Sequence, residues 1–446
     1  MLKKYPIIKK NYHLQIEKHF KDKMILKKKH DSICIIESDL FEVLKLCNGL
    51  RSLNEIIKVL SEKFNEPIDD IQKQLIDLFE IFEYIELLDN PSEKQPLITY
   101  SKSGIYPTHL DVEVTNHCNH NCIHCFNDSS PHKKNFIDVD KYINLLSNLK
   151  ERGLKYILLT GGEPLTHPDI NKLVEFSCTN FAKVNLNTNG FLLNRHIEFF
   201  KKFSNLEVQV TLNSSEPDIH EKFCGVNIPG LHSTVVENIK LAIDNDIEIN
   251  LAMNIIPENV DDILNTAYLS KELGCNTFRL SEIEVSGRAT SDLFVDMSSK
   301  KIEKIYNKLS EELGIEYVLN LSERRAFECL DRANCGIMSS FVAISAEGNI
   351  RFCSFAQDYL NFNNIFNIDI DEYFKTIDTL QSHTIQEPVE ELCTDCKFYD
   401  HCSHCIYKAL KKYDEIGSEC KWGESMIVNH FIEEIKNLQG GKVYEA

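Results

Sequence analysis

The chain has 446 residues, 43% of them hydrophobic and 26% charged, enough to bury a large core and, at roughly 150 residues per domain, to suggest two to three domains. With 49 basic against 68 acidic residues the formal charge is -19, which argues against an extended face that binds nucleic acid by neutralising phosphates. No apolar run approaches the roughly 20 residues of a membrane span, and the opening MLKKYPIIKKNYHLQIEKHF lacks the apolar stretch and cleavage site of a signal peptide, so no membrane association and a cytoplasmic location are expected.

Residues 1–30 carry ten lysines against Glu17 and Asp22 and are expected to form a basic arm distinct from the acidic body. DSICIIESDLFEVLKLCNGL reads as a short strand, a helix and a glycine stop, and SLNEIIKVLSEKF opens with Ser52 and Glu55 spaced as a capping box. In PIDDIQKQLIDLFEIFEYIELL, Pro67 suits a first helical turn, and Ile68, Ile71, Leu75, Leu78 and Phe82 recur on one helical face. Residues 1–90 therefore predict a small helical domain with short strands, and the proline-containing segment 91–107 a linker. From His109, six apolar strand-like runs, HLDVEVT, KYILLT, KVNLNT, LEVQVTL, IEINLAMNI and NTFRLSEI, alternate with amphipathic helices. The fold class expected over 108–320 is α/β, a parallel sheet curled into a partial (β/α)6 TIM-type barrel with chemistry at the C-terminal ends of its strands. Beyond residue 320 the periodicity fades and cysteines become dense, which predicts a third, cysteine-rich domain over 321–446 in which metal substitutes for apolar core.

Sixteen cysteines without a secretion signal point to metal, because a reducing compartment disfavours disulfides. Cys34, Cys47, Cys178, Cys224 and Cys275 are scattered and read as small core hydrophobes. Cys118, Cys122 and Cys125 follow the first barrel strand in TNHCNHNCIHCF, spaced C-x3-C-x2-C. Three thiolates on a cubane [4Fe–4S] cluster leave one iron open. A zinc site using His117, His120 or His124 is the alternative.

This triplet after the first strand of a six-unit barrel resembles the radical S-adenosylmethionine (SAM) superfamily. Gly161, Gly162, Glu163 and Pro164 match its GGEP motif, which implies contact with the SAM amino group; the glycines would let backbone approach the ligand and the carboxylate would accept from its ammonium. Asn187 in LNTNG, Asn213 in VTLNSSEPDIHEKFCG, Asn254 in MNIIPEN and Arg288 in EVSGRA resemble strand-end elements that line the SAM pocket. Where family members often carry arginine before the glycine of the HEKFCG-type stretch, this chain has Cys224, which is not assigned as a ligand. The resemblance implies that the open iron chelates SAM and that one electron releases a 5′-deoxyadenosyl radical, which abstracts hydrogen. No catalytic residue beyond the cluster is assigned.

Cys335, Cys353, Cys393, Cys396, Cys402, Cys405 and Cys420 resemble the SPASM extension of these enzymes, with Cys329 as an eighth ligand and two residues, where the family usually has three, between Cys402 and Cys405. Two auxiliary [4Fe–4S] clusters are implied, one on Cys329, Cys335, Cys353 and Cys405, the other on Cys393, Cys396, Cys402 and Cys420, making three clusters in all; a zinc ribbon is the rival. Ser354, where sulfatase-maturing relatives place an aspartate, disfavours formylglycine formation. Residues 30–90 resemble the winged-helix-like, PqqD-like recognition element that binds leader peptides of ribosomal natural products, implying strand addition by the leader. Together these resemblances imply a peptide maturase of the sactipeptide and ranthipeptide type, with a precursor peptide as substrate and an electron donor such as flavodoxin or ferredoxin. The expected reaction is a thioether crosslink from cysteine sulfur to carbon; carbon–carbon crosslinking is the enzymatic alternative, and a zinc-bearing peptide- or DNA-binding regulator the non-catalytic one.

Overall fold

The structure is a computed structural model that describes residues 2–8, 12–17, 24–28, 33–36, 38–81, 85–91, 98–101, 106–295, 300–314, 316–320, 335–338, 341–356, 361–379, 385, 387–389, 392–403, 405–425, 428 and 431–432. It divides into two compact units, Met1–Ile105 with Phe374–Thr379, and Tyr106–Tyr373 with Leu380–Ala446. Among the described residues no helix is long and apolar enough to cross a membrane.

Within the basic arm read from residues 1–30, the described residues include three strands. Strand β1 (Tyr5–Ile8) pairs antiparallel with β5 (Ile85–Leu88), and Ile8 enters the core. Strands β2 (Tyr12–Glu17), β3 (Met24–Lys28), β4 (Ile33–Ile36) and β6 (Ile98–Ser101) form a second sheet in the order β4-β3-β2-β6. The cause is legible locally, since Tyr12, Leu14 and Ile16 alternate with polar residues at the strand period of two. β6 lies in the stretch expected to be a linker. Among the described residues of 1–105 lie three helices, α1 (Ser38–Leu46), α2 (Leu53–Phe64) and α3 (Ile68–Ile81). The capping box forms: Glu55 N–H donates to the Ser52 side chain, and Ser52 N–H to Glu55 Oε2 at 2.8 Å. Leu53, Ile56, Ile57 and Leu60 of α2 pack with Ile71, Leu75 and Phe79 of α3. The α3 stripe thus starts at Ile71, with Ile68 49% exposed. Phe82 lies outside the described residues.

All six expected strands of the second unit form: β7 (His109–Thr115), β8 (Tyr156–Gly161), β9 (Lys183–Thr188), β10 (Leu206–Thr211), β11 (Glu248–Ile255) and β12 (Thr277–Glu282). They lie parallel and in chain order. Helices α4 (Val139–Glu151), α5 (Ile170–Asn180), α6 (Ile197–Phe200), α7 (Pro217–Cys224), α8 (Leu231–Ile243) and α9 (Ile263–Leu273) lie between them in sequence, and α10 (Lys300–Leu313) follows β12. Four further strands widen the sheet: β13 (Val318–Asn320) beside β12, and β14 (Phe341–Ile344), parallel to β7, followed by β15 (Asn349–Arg351) and β16 (Asn361–Asn364). The cysteine-rich region therefore begins on the barrel sheet itself. A buried ion pair, Arg351 with Glu113, ties β15 to β7.

The two faces of this sheet differ in a way that bears on function. Leu110, Val112, Ile157, Leu159, Val184, Leu186, Val208, Val210, Ile249 and Leu251 cover one face and are fully buried. Asp111, Thr160, Asn185, Asn187, Gln209, Asn250, Asn254 and Arg279 line the other and are half-buried. Parallel sheets covered on both faces are apolar on both. The polar, half-buried face therefore departs from the pattern of a sheet packed by apolar residues on both sides.

Candidate functional site

The register of β7 slips between Glu113 and Thr115, a bulge that redirects the chain as it leaves the sheet into residues 116–136. This loop carries Cys118, Cys122 and Cys125. Its base is closed by Asn116 N–H to Asn135 O (3.2 Å) and Cys118 N–H to Ser130 O (3.2 Å), and Glu347 accepts from Asn135 Nδ2 at 2.6 Å. Cys125 N–H returns to Cys122 O at 3.3 Å, the same tight turn that joins Cys393 to Cys396 and Cys402 to Cys405.

Four glycines from three strand-end loops press against the backbone of the cysteine loop. A Cβ on Gly161 would lie under 3.0 Å from Thr115 O, one on Gly162 from His117 O, one on Gly225 from Asn121 O, and one on Gly287 from Cys125 O. Gly162 N–H also donates to Thr115 O and Glu163 N–H to His117 O. The glycines of the GGEP motif are thus required for backbone to approach backbone, where the sequence suggested approach to a ligand.

Glu163 and Arg288 also have partners other than those expected. The Glu163 carboxylate is fully buried and accepts from Leu165 N–H (3.0 Å), Thr188 Oγ1 (2.7 Å) and Asn189 N–H (2.7 Å). Burial pushes its pKa up against these donors. Three protein donors already hold the group read as an acceptor for the SAM ammonium. Arg288 donates from Nε to Cys122 O (2.9 Å), from Nη1 to Asp128 Oδ1 (2.8 Å) and from Nη2 to Ser129 O (2.7 Å). Its guanidinium spans the cysteine loop. Lysine presents one point charge where arginine presents a fork, so Arg288→Lys is expected to cost about 2 kcal/mol and to speed loss of loop-bound metal to a chelator. Thermal unfolding and timed metal release measure both, and unchanged release would remove Arg288 from the loop's support.

Asn187, Asn213 and Asn254 share the polar side of the sheet. Asn213 Oδ1 accepts from Asn254 N–H at 3.0 Å, and Asn254 Nδ2 meets His124 Nε2 at 3.3 Å. Sequence reasoning missed Asn259, fully buried and donating to Asn213 O (2.7 Å) and Asn254 O (2.8 Å). Asn189, within the LNTNG stretch, donates from Nδ2 to Asn119 Oδ1 at 2.8 Å. Both follow strand ends, where a polar residue just past an apolar run is the available signal.

Inside the loop Cys118 is buried, while Cys122 and Cys125 are partly exposed. Burial, then the charges of Glu163 and Cys122, push Cys118 well above the usual thiol range. A hydrogen bond with Cys224, then burial, push Cys122 up, and burial raises Cys125. A bound cation reverses this, because a coordinated thiol ionises. Asn119 Nδ2, both ring nitrogens of His120, His124 Nδ1, Asn127 Nδ2 and Ser129 Oγ are buried there without a hydrogen-bond partner. Such a concentration of unanswered polar atoms beside three thiols fits a metal group with its own acceptors. Of the histidines open to zinc, His117 turns away, with Nδ1 on Lys133 O at 2.9 Å. His124 is held neutral, its pKa pushed down to about 4 by burial and by Arg288.

The later cysteines fall into two neighbourhoods. The charges of Cys405 and Cys335 oppose ionisation of Cys353, while Cys396 and Cys420 do the same at Cys393, as do Cys420, Cys396 and Cys393 at Cys402. Cys329 lies outside the described residues.

A sequence profile of the Radical SAM superfamily matches residues 112–269. The chain is 24% identical over 408 residues to the antilisterial bacteriocin subtilosin biosynthesis protein AlbA of Bacillus subtilis, covering 89% of each. It is 23% identical over 307 residues to the mycofactocin maturase MftC of Mycobacterium ulcerans, covering 66% of this chain and 82% of that one. Among solved structures it shares its fold with Streptococcus suis SuiB bound to precursor peptide SuiA, at TM-score 0.59 and 14% identity, over 91% of this chain and 97% of the other.

Proposed function

We propose that this chain is a radical SAM enzyme that modifies a ribosomally made precursor peptide. The observation that carries the proposal is three cysteines gathered on one loop, among unanswered polar groups, at the strand ends of a polar-faced parallel sheet. The superfamily match over the barrel strands, and relatives named for bacteriocin biosynthesis and mycofactocin maturation, support it. SAM bound at a [4Fe–4S] cluster on Cys118, Cys122 and Cys125 would supply a carbon radical able to take a hydrogen atom. The chain's own residues hold the loop in place through Arg288 and the glycines, and place Asn187, Asn213 and Asn254 on the polar side of the sheet. We assign Cys329, Cys335, Cys353 and Cys405, and Cys393, Cys396, Cys402 and Cys420, to two auxiliary clusters, and leader recognition to residues 1–90 through an added strand. The reaction we favour is a cysteine thioether, with carbon–carbon crosslinking as the second possibility, in a cytoplasmic enzyme reduced by a flavodoxin or ferredoxin.

The test is anaerobic incubation of the reconstituted chain with SAM, a reductant and a cysteine-containing precursor peptide encoded nearby. A thioether makes the peptide lighter by two hydrogens per bond and removes one alkylatable thiol. A carbon–carbon bond removes the hydrogens and leaves every thiol alkylatable. An unchanged peptide with no deoxyadenosine would favour a zinc-bearing binding protein.

A further inference from the structure

We propose that His120, Cys122 and Cys224 form a mononuclear site for a soft divalent cation of the zinc class, sharing Cys122 with the triplet, so that zinc and a triplet-bound cluster exclude one another. One ligand atom from each of the three residues lies within 4.8 Å of the other two. Thiolate and imidazole together are the donor set that zinc selects, and three protein ligands leave its fourth tetrahedral position open. His120 is 1% exposed and Cys224 2% exposed, and the Cys122 thiol interacts with both of them. A buried imidazole is favoured only where something answers its lost hydration. A cation between it and the two sulfurs would.

The surroundings support coordination. Asn213 N–H donates to His220 Nδ1 at 3.1 Å, so the neutral His220 ring carries its proton on Nε2, which lies 3.5 Å from Cys224 Sγ. An N–H aimed at a sulfur is the outer partner that a metal-bound thiolate commonly has. Cys224 closes helix α7, and the carbonyls of Cys224 and Phe223 accept from Asn121 and Ile123 N–H at 2.9 and 3.1 Å. The helix end and the cysteine loop are therefore laced together on both sides of Cys122. The site draws on this geometry alone, while its exclusion of a cluster also rests on the function proposed above.

The test is zinc binding by the metal-free, reduced full-length chain, counted with a chromophoric chelator. Cysteines 335–420 contribute equally in every variant. Cys224→Ala and His120→Gln should each lose one tightly bound zinc per chain. The double variant Cys118→Ala/Cys125→Ala should lose none, because all three proposed ligands remain, and Cys178→Ala, a buried cysteine elsewhere, should also lose none. Unchanged zinc in Cys224→Ala and His120→Gln overturns the site, as does a lost zinc in Cys118→Ala/Cys125→Ala. Should Cys224→Ala fail to fold, the spectrum of Co2+ added to the double variant decides: sulfur-to-cobalt charge transfer that His120→Gln alters supports the site, and its insensitivity to that change overturns it. One prebound zinc should slow cluster assembly in the unsubstituted chain and not in Cys224→Ala, and equal slowing overturns the exclusion. Absence of any cluster with these zinc results intact defeats the proposed function and leaves the zinc site standing.

Discussion

Alanine at Cys118, Cys122 and Cys125 is expected to abolish SAM cleavage while iron remains bound at the C-terminal cysteines. The triplet occupies one loop after β7, and Cys353, Cys393 and Cys402 respond to other cysteines, not to these. A cubane on the triplet holds about four irons, so reconstituted protein should fall by about that number against a full complement of about twelve. Deoxyadenosine should drop to the level without protein, and leader binding should persist, because the recognition we assign lies in the first unit. Deoxyadenosine formed at the unsubstituted rate would sink the triplet as the SAM site. Loss of all iron would instead show that the loop supports the whole second unit.

The strands were legible because their information is local. Each of the six runs from HLDVEVT to NTFRLSEI places apolar residues at alternate positions, and each forms with its apolar side buried. The grouping of Cys118, Cys122 and Cys125 was legible because their close spacing puts them on one loop. Strands β14 to β16 were not, since short runs such as FVAI acquire their meaning only by pairing with β7, more than two hundred residues away. Charge was visible at Glu163 and Arg288, but not its addressee: each spends its hydrogen bonds on backbone and side chains that fold back from distant loops. Cys224 looked like a scattered core thiol for the same reason, because its place beside Cys122 depends on how α7 meets the loop. The lysines at the start concealed an alternation that was present all along.

The glycine clasp separates two costs that usually travel together. Gly314 has φ +93 and nothing within 4 Å of a built Cβ, so Gly314→Ala should cost only the left-handed backbone penalty, about 1–2 kcal/mol, and leave cluster content unchanged. Gly162 carries no such φ, yet its Cβ would strike His117 O, a backbone atom held by the hydrogen bond from Glu163 N–H. Neither partner can rotate away, so Gly162→Ala should cost about 3 kcal/mol or displace the cysteine loop. Gly225 combines both, with φ +62 and a Cβ that would meet Asn121 O, and Gly225→Ala should be the worst of the three. Thermal unfolding orders the costs, and iron retained at the triplet, with SAM cleavage, reports the loop. If Gly162→Ala melted like the parent and kept its iron and activity, the close packing of the GGEP turn on the loop would not be what positions the three cysteines.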